Sequence, residues 1–214
     1  DDTRAAEGVH NLLVALGNVG VPLRGVIVGY GGFEDVLRDL ADRLKVGDVD
    51  RARTLLEQSG DEVHDAARFL SSGAALGAYR RRYESIEITF TGRLEHESLA
   101  PLLPTFDVLV VPSVVPEAFG MVAAEAAACG VLPVVPDHSG IGEAGAAVEE
   151  AIARPGLLTY DHRDPVRGIA LALGRVLSIP HHERRELGAA ASELAQTRWS
   201  WSHVSEQLLD LATM

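Results

Sequence analysis

The sequence is short of several things, and each shortage narrows the reading. Its 214 residues include one cysteine, Cys129, so no disulfide can close within the chain and a reducing compartment fits. Cys129 itself reads as a small apolar residue at a helix end. Lysine is nearly missing: Lys45 stands alone, and from Leu94 through Ala153 there is neither Lys nor Arg. The net charge of −12 argues against nucleic acid as the main partner. No apolar run is long enough to cross a bilayer, and the residues from Asp1 onward do not read as a leader, so a cytoplasmic protein is expected. Internal repeats and low-complexity tracts are lacking, and no Cys, His and carboxylate residues recur at metal-ligand spacing.

What is present is organised around residues 107–143. Val108 to Val111 is an apolar, β-branched run that predicts a buried strand. A loop from Pro112 to Phe119 follows, then Gly120 and an Ala-rich helix from Met121 to Cys129, which Gly130 stops. Leu132 to Val135 predicts the next strand, completing one βαβ unit of a parallel sheet. Two carboxylates mark the unit. Glu117 lies just ahead of the helix and Glu125 inside it. Glu125 has two readings: a favourable charge near the positive end of the macrodipole, or a ligand for the vicinal hydroxyls of a ribose. The surrounding alanines let the helix lie close on the sheet, which puts its N-terminus at the strand ends, where open α/β sheets bind ligands and free amides suit a phosphate.

E-A-F-G followed by E-A at the spacing of Glu117 and Glu125, then A-C-G and a short strand, resembles the donor-binding motif of retaining glycosyltransferases of family 4, also called group 1, with the GT-B fold. Gly8 to Leu16, Arg24 to Ala41, Ile88 to Leu94, Ser139 to Glu143, Gly156 to Pro165 and Trp199 to Trp201 fall in the family's order. The ordered set, not any single motif, carries the resemblance.

The rest of the chain is read from residues. Glu7 to Leu16 predicts an amphipathic helix with Val9, Leu12, Leu13 and Leu16 on one face. Strands are expected near 25–30, 86–91, 107–112, 132–136 and 157–160. The glycines 29, 31 and 32 turn the chain from the first strand into a helix over about 33–44. Residues 45–84 fall outside the resemblance and read as a helical insertion of surface helices, with Arg80, Arg81 and Arg82 as either a solvated face or a contact for an anionic membrane. His138 reads as a loop bystander or an acid–base group, Glu143 as a capping or pairing group, and Trp199 and Trp201 as packing anchors.

The resemblance implies a single nucleotide-sugar-binding domain over 1–214, a Rossmann-like parallel sheet with helices on both faces, forming one half of a GT-B fold. Its first strand would lie ahead of Asp1. Glu117 would lie against the sugar ring as the catalytic carboxylate. Ala118, Phe119, Gly120, Met121 and Val122 would hold the diphosphate and sugar, Glu125 the ribose, Gly31 the sugar, and Arg93 and Leu94 the base. The substrate would be a nucleoside-diphosphate hexose, with no cofactor and no metal, and an N-terminal acceptor domain would be the partner. The family's phosphate-binding Lys is replaced by Glu7, so the chain alone is expected to transfer nothing. A non-catalytic nucleotide-sugar module and half of a GT-B sugar epimerase are the alternatives.

Overall fold

The computed structural model describes residues 8–60, 63–72, 79 and 82–212. The readings placed on Glu7, Arg80 and Arg81 lie outside the described residues; Arg82 is exposed. Every strand pairing is parallel, as the alternation of short apolar runs with helices predicts. Strands β1 (Arg24–Val28) and β2 (Glu87–Gly92) pair with Arg24 opposite Glu87. Strands β3 (Val108–Val110), β4 (Leu132–Pro136) and β5 (Thr159–Tyr160) pair in that order, with β4 central and wholly buried. The hydrogen bonding thus falls into two groups instead of one continuous ladder. Among the described residues no strand pairs with the second edge of β1 or of β3, and Val26 and Val28 are 38% and 39% exposed.

Strand β5 is shorter than expected for a local reason. The carboxylate of Glu149, 6% exposed, accepts from the amides of Gly156, Leu158 and Thr159, each at 2.7 Å, and from Thr159 Oγ1 at 3.0 Å. It takes amides that a longer ladder would use. Nothing in the sequence singled out Glu149, because its acceptors' partners are backbone groups.

The helices are α1 (Val9–Leu16), α2 (Glu34–Lys45), α3 (Val49–Gln58), α4 (His64–Ser71), α5 (His96–Leu102), α6 (Met121–Ala128), α7 (Ser139–Ala151), α8 (Pro165–Leu177), α9 (His181–Arg198) and α10 (Trp201–Ala212). The one-faced α1 expected from its leucines is corrected: His10, Asn11, Leu13, Val14, Ala15 and Leu16 are all buried, because α2, α4 and α8 close around it. The surface-helix reading of residues 45–84 is corrected as well. The described residues of this segment are mostly helical, but Val49, Ala52, Leu56, Val63, Ala66, Ala67, Leu70, Tyr79 and Tyr83 belong to the same core as α1 and α8. The Tyr79 hydroxyl donates to Val14 O at 2.9 Å, which ties the segment to α1.

Helix α6 behaves as its composition dictates. Ala123, Ala124, Ala126 and Ala127 are buried, so the helix lies close on β4. It ends in a Schellman motif: Gly130 N donates to Ala127 O at 2.8 Å and Val131 N to Ala126 O at 2.9 Å, with Gly130 at φ 75°. Trp199 is half-buried and meets the Phe119 ring edge-on at 5.4 Å, as a packing anchor should. Trp201 is not one: it is 84% exposed.

Candidate functional site

The end of β3 runs into the loop that begins α6. Gly120 caps that helix at φ 78°, ψ 62°, and a Cβ there would meet Ile141 Cγ1 at 2.6 Å, so conformation and space both require glycine. No side chain caps the helix. Among the described residues the amides of Ala118, Phe119, Gly120, Met121 and Val122 find no acceptor within the protein. Unpaired amides at a helix start, with the macrodipole behind them, make a site suited to a phosphate.

Glu117 stands at the foot of this run, half-buried. Its amide donates to Ser139 Oγ at 3.1 Å and its carbonyl accepts from Gly140 N at 3.0 Å. A Cβ on Gly140 would lie 1.7 Å from Ala118 O, so the Glu117 loop and the start of α7 lie backbone on backbone. Ser139 holds φ 54°, a region that side-chain-bearing residues seldom occupy. His138 Nδ1 lies 3.0 Å from Ser139 Oγ. Tyr160, at the end of β5, donates to Val111 O at 3.3 Å. Burial, together with the negative charges of Asp137 and Glu117, pushes its pKa above the ordinary phenol value, so it remains a donor.

Glu125 is exposed on α6, sharing a face with Met121 and Val122, which are 56% and 50% exposed. It forms no hydrogen bond or ion pair among the described residues. A second group gathers at the ends of β1 and β2. The Arg93 guanidinium lies 5.4 Å over the Tyr30 ring and its Nε is 2.9 Å from Glu95. Tyr30, 65% exposed, was not picked out from the sequence, although an aromatic set between glycines at a strand end is the signal that could have found it. Gly31 accepts from Glu34 N at 3.1 Å as α2 begins, and Leu94 is half-buried beside Arg93. Among the described residues no hydrogen bond or ion pair joins this group to that of Glu117 and Glu125.

The fold also assembles residues that no spacing in the sequence announced. Asp137, Asp161 and His162 meet where the loops after β4 and β5 converge. Burial works to raise the Asp137 pKa, but the His162 side chain, its amide and its charge outweigh this and hold the carboxyl below its usual range.

A parallel α/β unit with an amide-lined helix start at its strand ends is a nucleotide- or phosphate-binding architecture. The chain belongs to the group 1 glycosyltransferases: the family model for "Glycosyl transferases group 1" matches residues 41–178, a span that includes the segment read from sequence as an insertion. It is 31% identical over 202 residues to a D-inositol 3-phosphate glycosyltransferase of Salinispora tropica, covering 89% of this chain and 39% of that one. It is 34% identical over 126 residues to a glycogen synthase of Mycobacterium tuberculosis, covering 58% of this chain and 28% of that one. Sucrose-phosphate synthase from Thermosynechococcus elongatus superposes with a TM-score of 0.59 at 21% identity, covering 99% of this chain and 43% of that one, a likeness of fold. The chain thus spans well under half the length of these relatives.

Proposed function

We propose that this chain is the donor half of a retaining glycosyltransferase that moves a hexosyl group from a nucleoside-diphosphate sugar to an acceptor. The observation that carries the reading is the run of unpaired amides over 118–122, beginning beside a Glu117 pinned by Ser139 and Gly140. In this reading the amides take the diphosphate, Glu125 takes the ribose hydroxyls, and Arg93, Leu94 and Gly31 border the base and sugar. Glu117 lies against the sugar ring and stabilises positive charge as the anomeric bond lengthens. Negative charge grows on the leaving diphosphate, and the preorganised amides and helix dipole oppose it without reorganising.

Residues 94–153 carry no Lys or Arg, so side-chain cations for the phosphate would come from Arg93, from the N-terminal segment or from outside the chain; with the acceptor site on a further domain, the 214 residues alone bind donor and transfer nothing. Positioning an acceptor and excluding water can supply about 7–11 kcal/mol of a barrier. Transfer in this scheme runs through protein groups alone. Among the described residues no helix is long and apolar enough to cross a membrane, and the exposed Arg82 is the one described member of the basic cluster offered for a peripheral contact. Calorimetric titration with UDP-, GDP- and ADP-hexoses tests the reading. Saturable binding of one base class, competed by its nucleoside diphosphate, is expected. Binding of none of them, or sugar transfer by the chain alone, overturns it.

A further inference from the structure

We infer that the loops after β4 and β5 build a site for a divalent transition-metal ion, with Asp137, Asp161 and His162 as ligands and His138 beside them. The inference is independent of the donor site proposed above. One donor atom from each of Asp137, Asp161 and His162 lies within 4.8 Å of the others, a spread that small side-chain rotations close to the span of ligands held about 2.0–2.2 Å from one ion. The ligands come from two separate loops, and the backbone holds those loops together. Asp137 N donates to Tyr160 O at 2.9 Å, and His162 N donates to Asp137 Oδ1 at 3.0 Å. Asp137 and His162 are therefore placed by main-chain bonds as well as by their neighbours.

The chemistry of the set selects the ion. His162 Nδ1 and Asp137 Oδ1 are 2.6 Å apart in a hydrogen bond, and an ion bound by both atoms would take the place of that bond. The His138 ring meets the His162 ring edge-on, centroids 4.8 Å apart, which brings a second imidazole to the rim. Carboxylate oxygens mixed with imidazole nitrogens suit zinc, cobalt, nickel or manganese; calcium and magnesium favour an all-oxygen cage. The side chains of His162 and Asp137 are 44% and 42% exposed, so water can fill the remaining coordination positions. Arg163 opposes the ion: its amide and Nε each donate to Asp161 Oδ1 at 2.9 Å. Its second terminal nitrogen also donates to Asp161 Oδ2 at 3.3 Å, so a bound cation has to displace the guanidinium. Occupancy would clamp the loop that carries Ser139, and Ser139 holds the Glu117 amide.

The test uses the chain stripped with chelator, then titrated with Co2+ by visible absorption and with Zn2+ by calorimetry. A single saturable site is expected. Asp137→Asn and His162→Ala should each weaken it by at least about tenfold, the loss that even outer-shell partners of a metal produce. Arg163→Ala should tighten it several-fold by freeing Asp161. His96→Ala, at an exposed histidine elsewhere, should leave it unchanged. All these side chains are exposed or half-buried, so circular dichroism and melting without metal should match the parent. Lack of saturable binding, binding that survives both ligand variants, or weakening by Arg163→Ala would each overturn the site.

Discussion

Ser139 offers a sharp test of how the Glu117 loop is held. It carries two opposing contributions. Its Oγ accepts from Glu117 N at 3.1 Å, a hydrogen bond with a net value of about 1 kcal/mol. Its backbone sits at φ 54°, where a Cβ costs about 1–2 kcal/mol. Ser139→Ala removes the bond and keeps the strain, so it should lower unfolding free energy by about 1 kcal/mol. Ser139→Gly removes the same bond and releases the strain, less roughly 0.4–1 kcal/mol from greater freedom of the unfolded chain. It should therefore lie close to the parent and above the alanine variant. Donor affinity should move differently. Both variants leave the Glu117 amide untethered, and reordering that loop on binding should cost about 1 kcal/mol, or about fivefold in Kd. Urea unfolding at constant m and calorimetry with the preferred nucleotide separate the two effects. Equal stability for the alanine and glycine variants would refute the strain argument, and unchanged affinity in both would remove Ser139 from the site.

Glu149→Ala should lose about 1–3 kcal/mol, since it strands the buried amide of Leu158 and takes the acceptor from the more accessible amides of Gly156 and Thr159; Glu149→Gln keeps one acceptor oxygen and should lose less. Chemical unfolding reads both, and a loss under 1 kcal/mol for the alanine variant would show that water replaces the carboxylate. Glu125→Ala should weaken nucleotide binding by about 1.5–3 kcal/mol with an unchanged melting temperature, because the side chain is exposed and unpartnered; parental affinity in calorimetry would end the ribose role. Replacing residues 46–83 by a short Gly/Ser bridge should abolish cooperative unfolding, since each large buried side chain there contributes about 1.5–3 kcal/mol against a total stability of about 5–15. A cooperative melt near the parent's would show that the segment is dispensable.

The class of fold was legible because the central βαβ unit is dense in local signals. The β-branched run of β3, the Ala stripe of α6 and the Gly130 stop each act through neighbours in sequence, and each appears where it was expected, although β3 is half-buried instead of the buried strand its composition suggests. The errors arose where distant packing decides. The leucines of α1 describe one stripe, but they cannot report that α2, α4 and α8 approach from the other sides. Residues 45–84 look like a solvated insertion because their charges are conspicuous, while the small residues Ala52, Ala66 and Ala67 that let the helices close on the core are inconspicuous. Burial by small side chains leaves little trace in an apolar pattern.

The site divides in the same way. Gly120 and Glu117 could be read from a local motif, since a helix start is a local structure. Ser139 could not, because its role depends on a bond to Glu117 across two elements of the chain and on a backbone angle that no serine advertises. The cluster of Asp137, Asp161 and His162 is stricter still. Its members look like unrelated loop residues until the parallel pairing of β4 with β5 puts the two strand ends side by side. In a parallel sheet adjacent strands end on the same edge, so residues just beyond each strand converge however far apart they lie in sequence. The informative pattern is thus a residue type repeated one position past successive strand ends, here Asp137 after Pro136 and Asp161 after Tyr160, and it becomes visible only once the register is known.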